Sequence, residues 1–179
     1  MNTLSYYKYL LIGKILRKGN EYMVSKMRAE GMYIGENTHI YSNIGASEPY
    51  LIKIGSNCTI STEVSFITHD ASIGLFVEGG RNEASDICGP ITIGNNVFIG
   101  NKSIILYGVT IPNKTIVAAG SIVTKSIKEE GCIIGGNPAR IIGRVDEYLQ
   151  KSRPYFLCLH GLNESVRMQK VLNSKLIKR

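Results

Sequence analysis

Closely spaced cysteines are missing from this chain: Cys58, Cys88, Cys132 and Cys158 stand 26 residues or more apart. That spacing excludes a zinc knuckle or a thioredoxin-type dithiol and leaves free thiols. Long apolar runs are missing too, because Lys8 and Lys14 interrupt the N-terminal stretch, so no membrane-spanning helix is expected. The first residues also lack an early basic region followed by a cleavable apolar segment, which points away from a secretory leader and toward a cytoplasmic protein. Histidine is scarce, with only His39, His69 and His160 among 179 residues. No low-complexity tract occurs, and a mean hydropathy of +0.01 with 20% charged residues describes a chain able to bury one core.

Acidic residues are outnumbered, 14 against 21 Lys and Arg, giving a formal charge of +7 that suits an anionic partner. The basic residues are dispersed or gathered at the chain ends, with no basic-aromatic motif, which argues against nucleic acid and leaves a membrane surface or a phosphorylated small molecule.

What the sequence does have is a period. Aliphatic residues recur every sixth position at Ile93, Ile99, Ile105, Ile111, Val117 and Val123, and a small or β-branched class recurs four residues later at Val97, Ser103, Val109, Thr115, Ser121 and Ile127. Similar phrases start at Ile34, Ile54 and Ile60. A period of six fits neither a helix nor a simple alternating strand. It fits short strands joined by tight corners, three to a turn, with residue i stacked on i+18 at about 4.8 Å and both recurring classes pointing inward. Asn, Lys and Gly at 95, 96, 101, 102, 108, 113, 114 and 120 supply the corners. The outward series Thr92, Phe98, Ile104, Thr110, Ile116, Ile122 is no threonine ladder of the ice-binding kind, and its stacked Ile104 and Ile122 suggest a subunit contact.

Outside the repeat, Leu4, Tyr7, Leu11 and Ile15 predict a helix over 3–18 that stops at Gly19-Asn20, followed by a second from Glu21 to Glu30. Such segments serve best as a cap on the open end of the stack. Beyond Arg144, Pro154 divides a short helix from another over 163–177, whose end is complemented by Lys175, Lys178 and Arg179. The organisation expected is a helical segment over 1–31, a repeat unit over 32–143 and a helical extension over 144–179.

Residues 93–103, IGNNVFIGNKS, with VAAGSIVTK at 117–125 and Gly136-Asn137-Pro138-Ala139-Arg140, resemble the hexapeptide-repeat acyltransferases over about residues 34–143. The resemblance implies an all-β solenoid, a left-handed parallel β-helix, working as a homotrimer. It implies acetyl-CoA as acyl donor, no metal, and acetyl transfer to a hydroxyl of a sugar or surface-glycan precursor. An amino-group acceptor and a non-catalytic trimeric scaffold stay open as alternatives.

The break in the period points to the site. Phe66 and Ile93 are 27 residues apart, not a multiple of six, so a loop leaves the stack at about 72–90. His69 immediately precedes it, and Thr68-His69-Asp70 resembles the family segment whose histidine acts as general base. Imidazole can take a hydroxyl proton and later return it to a thiolate. Asp70 is placed beside the acceptor or in a turn, His39 in the same cleft or at a corner, and Glu48 or Glu63 as partner of the imidazole. Three histidines so dispersed do not make the three-histidine zinc site of a γ-class carbonic anhydrase. The resemblance places Gly100, Ala118 and Ala119 along the pantetheine arm, Phe98 over it or in the trimer contact, Thr124, Lys125 and Arg140 at the nucleotide phosphates, and Asn137 and Pro138 at the adenine.

Overall fold

The computed structural model describes residues 19–83 and 85–177. Its centre is a stack of short strands, two to six residues each. β1 (Tyr33–Ile34), β3 (Ile52–Ile54), β8 (Ile91–Ile93) and β11 (Thr110–Ile111) form one parallel sheet. The second holds β2 (His39–Ile40), β4 (Thr59–Ile60), β9 (Phe98–Ile99), β12 (Ile116–Val117) and β14 (Cys132–Gly136), and the third holds β5 (Ser65–Ile67), β10 (Ile104–Leu106) and β13 (Ile122–Val123). From β3 to β13 the chain visits the three sheets in rotation, so neighbours within a sheet come from successive turns. In the regular part Thr92 pairs with Thr110, Phe98 with Ile116 and Ile104 with Ile122.

Both recurring residue classes point inward. Ile93, Ile99, Ile105, Ile111, Val117 and Val123 are at most 1% exposed, as are Val97, Ser103, Val109, Thr115 and Ser121, while Ile127 packs against their edge. Each buried aliphatic contributes about 1.5–3 kcal/mol relative to an exposed one. The corners turn through left-handed backbone at Asn96, Lys102 and Lys114, with φ of 56°, 58° and 54°, a region sparse for side-chain-bearing residues and most tolerant of Asn. Side chains lace one corner from turn to turn: the Glu36 amide donates to Ser56 Oγ, the Ser56 amide to Asn95 Oδ1 and the Asn95 amide to Asn113 Oδ1.

Two turns are longer than eighteen residues, and the last, from Ile116 to Ile133, is one residue shorter. In the first, His39 pairs with Thr59, and the extra length falls in the segment that includes Glu48 and the 3-10 turn Pro49–Leu51. In the next, Ser65 pairs with Ile104, 39 residues on, because a loop leaves the stack. The loop starts earlier than residue 72. His69–Asp70 (β6) and Ile87–Cys88 (β7) form a two-stranded antiparallel ribbon at its base, beyond which come short 3-10 turns at Ser72–Leu75 and Gly80–Asn82.

The open end near the N-terminus is covered by α1 (Gly19–Ala29), which buries Met23, Val24 and Met27 on the core. Its polar residues satisfy the free strand edge: Arg28 donates to the Ile34 and Gly35 carbonyls, and Asn20 bonds both the Thr38 carbonyl and the Ile40 amide. Gly19 and Asn20 therefore lie inside a helix rather than ending one, because Asn20 has backbone partners there. The helix expected over 3–18 lies outside the described residues.

At the far end the repeat gives way to β15 (Ala139–Arg144), which runs antiparallel to β14 instead of continuing the parallel winding. α2 (Val145–Ser152) follows, and after Pro154 comes α3 (Glu164–Leu172), N-capped by Asn163 Oδ1 on the Val166 amide. This last helix ends before 177, so Lys175 does not sit in its final turn; its ammonium lies over the Tyr155 ring, 5.2 Å from the centroid. Lys178 and Arg179 lie outside the described residues. No helix among the described residues is long and apolar enough to cross a membrane.

Arg28→Ala should strip the first strand edge of its cap, at a cost of about 1–3 kcal/mol. Faster amide exchange in β1–β4 with unchanged protection in β8–β13 is the expected result of hydrogen-exchange mass spectrometry.

Candidate active site

His69 is positioned by two irregularities that meet at one corner. The third sheet delivers it through β5, whose register with β10 carries Ile67 opposite Leu106, and the ribbon then pairs His69 with Cys88. Glu48 arrives from the longer first turn. Its Oε2 lies 2.9 Å from His69 Nδ1 and accepts a hydrogen bond of 2.6 Å from Thr68 Oγ1. The dyad sits at the surface, with side chains 34% and 19% exposed. Of the two acids considered for this place, Glu63 instead faces Lys102 at 3.7 Å.

Hydrogen bonding and charge from Glu48 raise the His69 pKa above the ordinary imidazole range, with smaller contributions from Asp86 and Asp70. The Glu48 pKa is lowered, first by the Thr68 hydroxyl and then by His69. With Nδ1–H donating to the carboxylate, Nε2 keeps its lone pair for a substrate. Asp70 does not reach the imidazole. Its Oδ1 accepts the Ser72 amide at 2.8 Å and its Oδ2 faces the Tyr107 hydroxyl at 3.4 Å, anchoring the start of the loop, and the Ser72 bonds are what lower its pKa.

The other residues singled out by sequence fall into separate groups. Thr124 and Lys125 follow β13, and the register of Ile67 with Leu106 and of Ile105 with Val123 puts them at the His69 corner, two strand spacings away, about 10 Å. Phe98 and Ala118 line a mainly apolar groove of about 730 Å³ with Ile116, Ile133, Ile142 and Tyr148. Ala119 is exposed at the neighbouring corner. Asn137 and Pro138 form the tip of the β14–β15 hairpin, and Arg140 is exposed on β15 with Nη1 on the Ala139 carbonyl. His39 is exposed on the outer row of the second sheet, stacked on Tyr41, and is not brought to His69 within one chain. Gly100 is buried, and a Cβ there would stand 2.5 Å from the Ala119 amide nitrogen. Its missing side chain makes room for the next turn of backbone. Among the described residues, no three His, Cys, Asp or Glu side chains gather as they would around a metal ion.

Residues 90–125 match the hexapeptide repeat of succinyl-transferase. Protein CapG of Staphylococcus aureus is 44% identical over 129 residues, 70% of this chain and 73% of that one. The chain belongs to the hexapeptide-repeat acetyltransferase family. It is an acyltransferase. Galactoside O-acetyltransferase of Escherichia coli is 35% identical over 137 residues, 75% of this chain, which spans only 63% of that enzyme. A crystal structure of the hexapeptide-repeat acetyltransferase VCA0836 from Vibrio cholerae, complexed with acetyl coenzyme A, superposes with a TM-score of 0.57 at 32% identity, covering 65% of this chain and 61% of that one.

Sequence reasoning did not single out Tyr107 or Asp86. Tyr107 announces itself only through the register, next to Leu106 and so at the height of Thr68. Asp86 lies in the aperiodic loop, where spacing carries no message.

The two shifts set a pH window. Because the His69 pKa is raised, its share of the ion-pair stabilisation is complete below the ordinary imidazole range and is lost as pH climbs through the raised value. Because the Glu48 pKa is lowered, its share is present above the ordinary carboxylate range and is lost as pH falls through the lowered value. An NMR titration of the His69 ring should show a midpoint above that of a free imidazole, and Glu48→Gln should bring it back down. An unmoved midpoint in the variant would contradict the assignment of the shift to Glu48.

Proposed function

We propose that this protein transfers acetyl from acetyl-CoA directly to a hydroxyl of a sugar or surface-glycan precursor, with His69 as general base. The observation that carries the proposal is the Glu48–His69 dyad, which leaves Nε2 free at the base of the loop in a member of an acetyltransferase family. The sugar class of acceptor is supported by the likeness to galactoside O-acetyltransferase.

The chemistry needs little more than a correctly held imidazole. The acceptor hydroxyl approaches the thioester carbonyl while Nε2 takes its proton. The new C–O bond forms, the tetrahedral intermediate collapses, the C–S bond breaks, and the imidazolium returns the proton to the coenzyme A sulfur. Glu48 fixes the ring and its tautomer and stabilises the imidazolium between the two transfers. No acyl-enzyme is required.

Acetyl-CoA is the acyl donor. Lys125, exposed at the same corner as His69, offers an ammonium to its phosphates, with Thr124 beside it, and Arg140 supplies a guanidinium fork on the hairpin. Asn137 and Pro138 flank the adenine end, and Ala118, Ala119 and Phe98 lie along the pantetheine arm. The stack winds left-handed, as its family membership supports, with residues 32–143 as the catalytic unit carrying the loop and with 1–31 and 144–179 as extensions. Outward Ile104 and Ile122, paired in register and only partly covered, favour assembly as a cytoplasmic homotrimer.

His69→Ala should lower turnover by at least about 100-fold, the usual loss for a general base, while acetyl-CoA affinity by calorimetry stays within about threefold. Turnover equal to that of the wild type would remove His69 from the mechanism. Because only neutral His69 accepts a proton, kcat/KM should rise with pH through the raised His69 pKa. Lys125→Ala should weaken acetyl-CoA binding about tenfold, the scale of one charge-assisted contact, and leave kcat at saturation nearly intact.

A further inference from the structure

Three carboxylates stand around His69, and the protein itself occupies two of them. Glu48 is taken up by Thr68 and His69, and Asp70 by Ser72 and Tyr107. Asp86 is different. It is exposed and makes no hydrogen bond or ion pair among the described residues.

Its placement follows from the ribbon. His69 pairs with Cys88 in the antiparallel register, and alternate residues along an extended strand share a face. Asp86 stands immediately before β7 and two residues ahead of Cys88, so the ribbon's register carried one residue further sets it on the His69 side. Its charge adds a small upward push at His69 and a small one at Glu48 against the net lowering there. A carboxylate near His69 with no hydrogen-bond or ion-pair partner among the described residues can accept hydrogen bonds from a ligand. A sugar matches that capacity, because it carries several hydroxyls, each a donor, and a ring hydroxyl commonly has another on the next carbon.

Building on the proposed function, we infer that Asp86 is an acceptor-binding residue: it receives a hydrogen bond from the hydroxyl adjacent to the one being acetylated, and its charge disfavours acceptors that carry a carboxylate or phosphate there. The acceptor class is thereby narrowed to neutral or amino sugars. The +7 of the whole chain does not oppose this, since the basic residues proposed for the donor, Lys125 and Arg140, stand on other elements.

The test is kinetic, with matched neutral, amino and uronic methyl glycosides of the gluco and galacto series and release of free coenzyme A as the readout. The wild type should prefer the neutral and amino glycosides to the uronic ones. Asp86→Asn should narrow the neutral-to-uronic ratio of kcat/KM by about tenfold or more, the scale of a hydrogen bond to a charged group. Asp86→Ala should in addition raise KM for the neutral glycosides with kcat at saturation changed less than about threefold. Calorimetry should give both variants the wild-type affinity for acetyl-CoA. An active Asp86→Asn enzyme with the wild-type ratio overturns the assignment of Asp86 and leaves the proposed function standing. A wild-type protein that binds acetyl-CoA but acetylates no glycoside of the panel overturns the sugar acceptor, and the role of Asp86 with it.

Discussion

The close parallel stacking of successive turns governs everything else in this molecule. Neighbouring strands are held at one hydrogen-bonded spacing, so the interior accepts one aliphatic and one small or β-branched residue per strand, and no more. At Gly100 even a methyl group would run into the backbone of the next turn. A wall this strictly specified has no freedom to shape a catalytic centre. Chemistry is pushed to the corners, to the outward rows, and to places where the turn length departs from eighteen.

Two such departures lie on top of each other. The turn from His39 to Thr59 carries two residues beyond the regular eighteen, and the one from Thr59 to Phe98, 39 residues apart, carries a whole loop. Both insertions fall between the third sheet and the first, so Glu48 of one turn meets Thr68 and His69 of the next. The regular stack sets the height of each turn and the irregular segments supply the functional groups. Tyr107, one turn farther along the same corner, then holds Asp70 and with it the root of the loop.

Those relations explain what could be read from the residues alone. The hexad is visible because inward positions in a close-packed stack admit so few residue types, and its interruption located His69. Glu48 could not be separated from Glu63, because the sequence shows that an acid lies one turn away but not which corner it occupies. The extra two residues between the phrases at Ile34 and Ile54 were the missing clue, since they mark where the first turn bulges. Gly100 shows a related ambiguity: glycine announces a close approach without saying what approaches, and here the next turn of backbone is one neighbour. The antiparallel β15 and the early end of α3 lie beyond the repeat, where the packing rule no longer constrains the chain. Asp86 was silent because a loop has no period.

In the proposed mechanism the shared oxygen of Glu48 sets the strength of the base. A carboxylate that bonded only to His69 would pull hardest on the imidazolium, giving a base that captures protons well but is seldom neutral at ordinary pH. Thr68 donates to the same Oε2, which disperses the charge and tempers that pull, as the lowered Glu48 pKa with Thr68 as its first cause reflects. Because Thr68 is buried at 2% exposure, its hydroxyl has no easy alternative partner and the arrangement is fixed. In the proposed reaction an imidazole held in this way would keep a proton between the two transfers and give it up to the departing thiolate. Buried Thr68 therefore holds the Glu48 carboxylate through its hydroxyl, and belongs to the stack through its backbone carbonyl, which receives the Gly89 amide and closes the loop at its base.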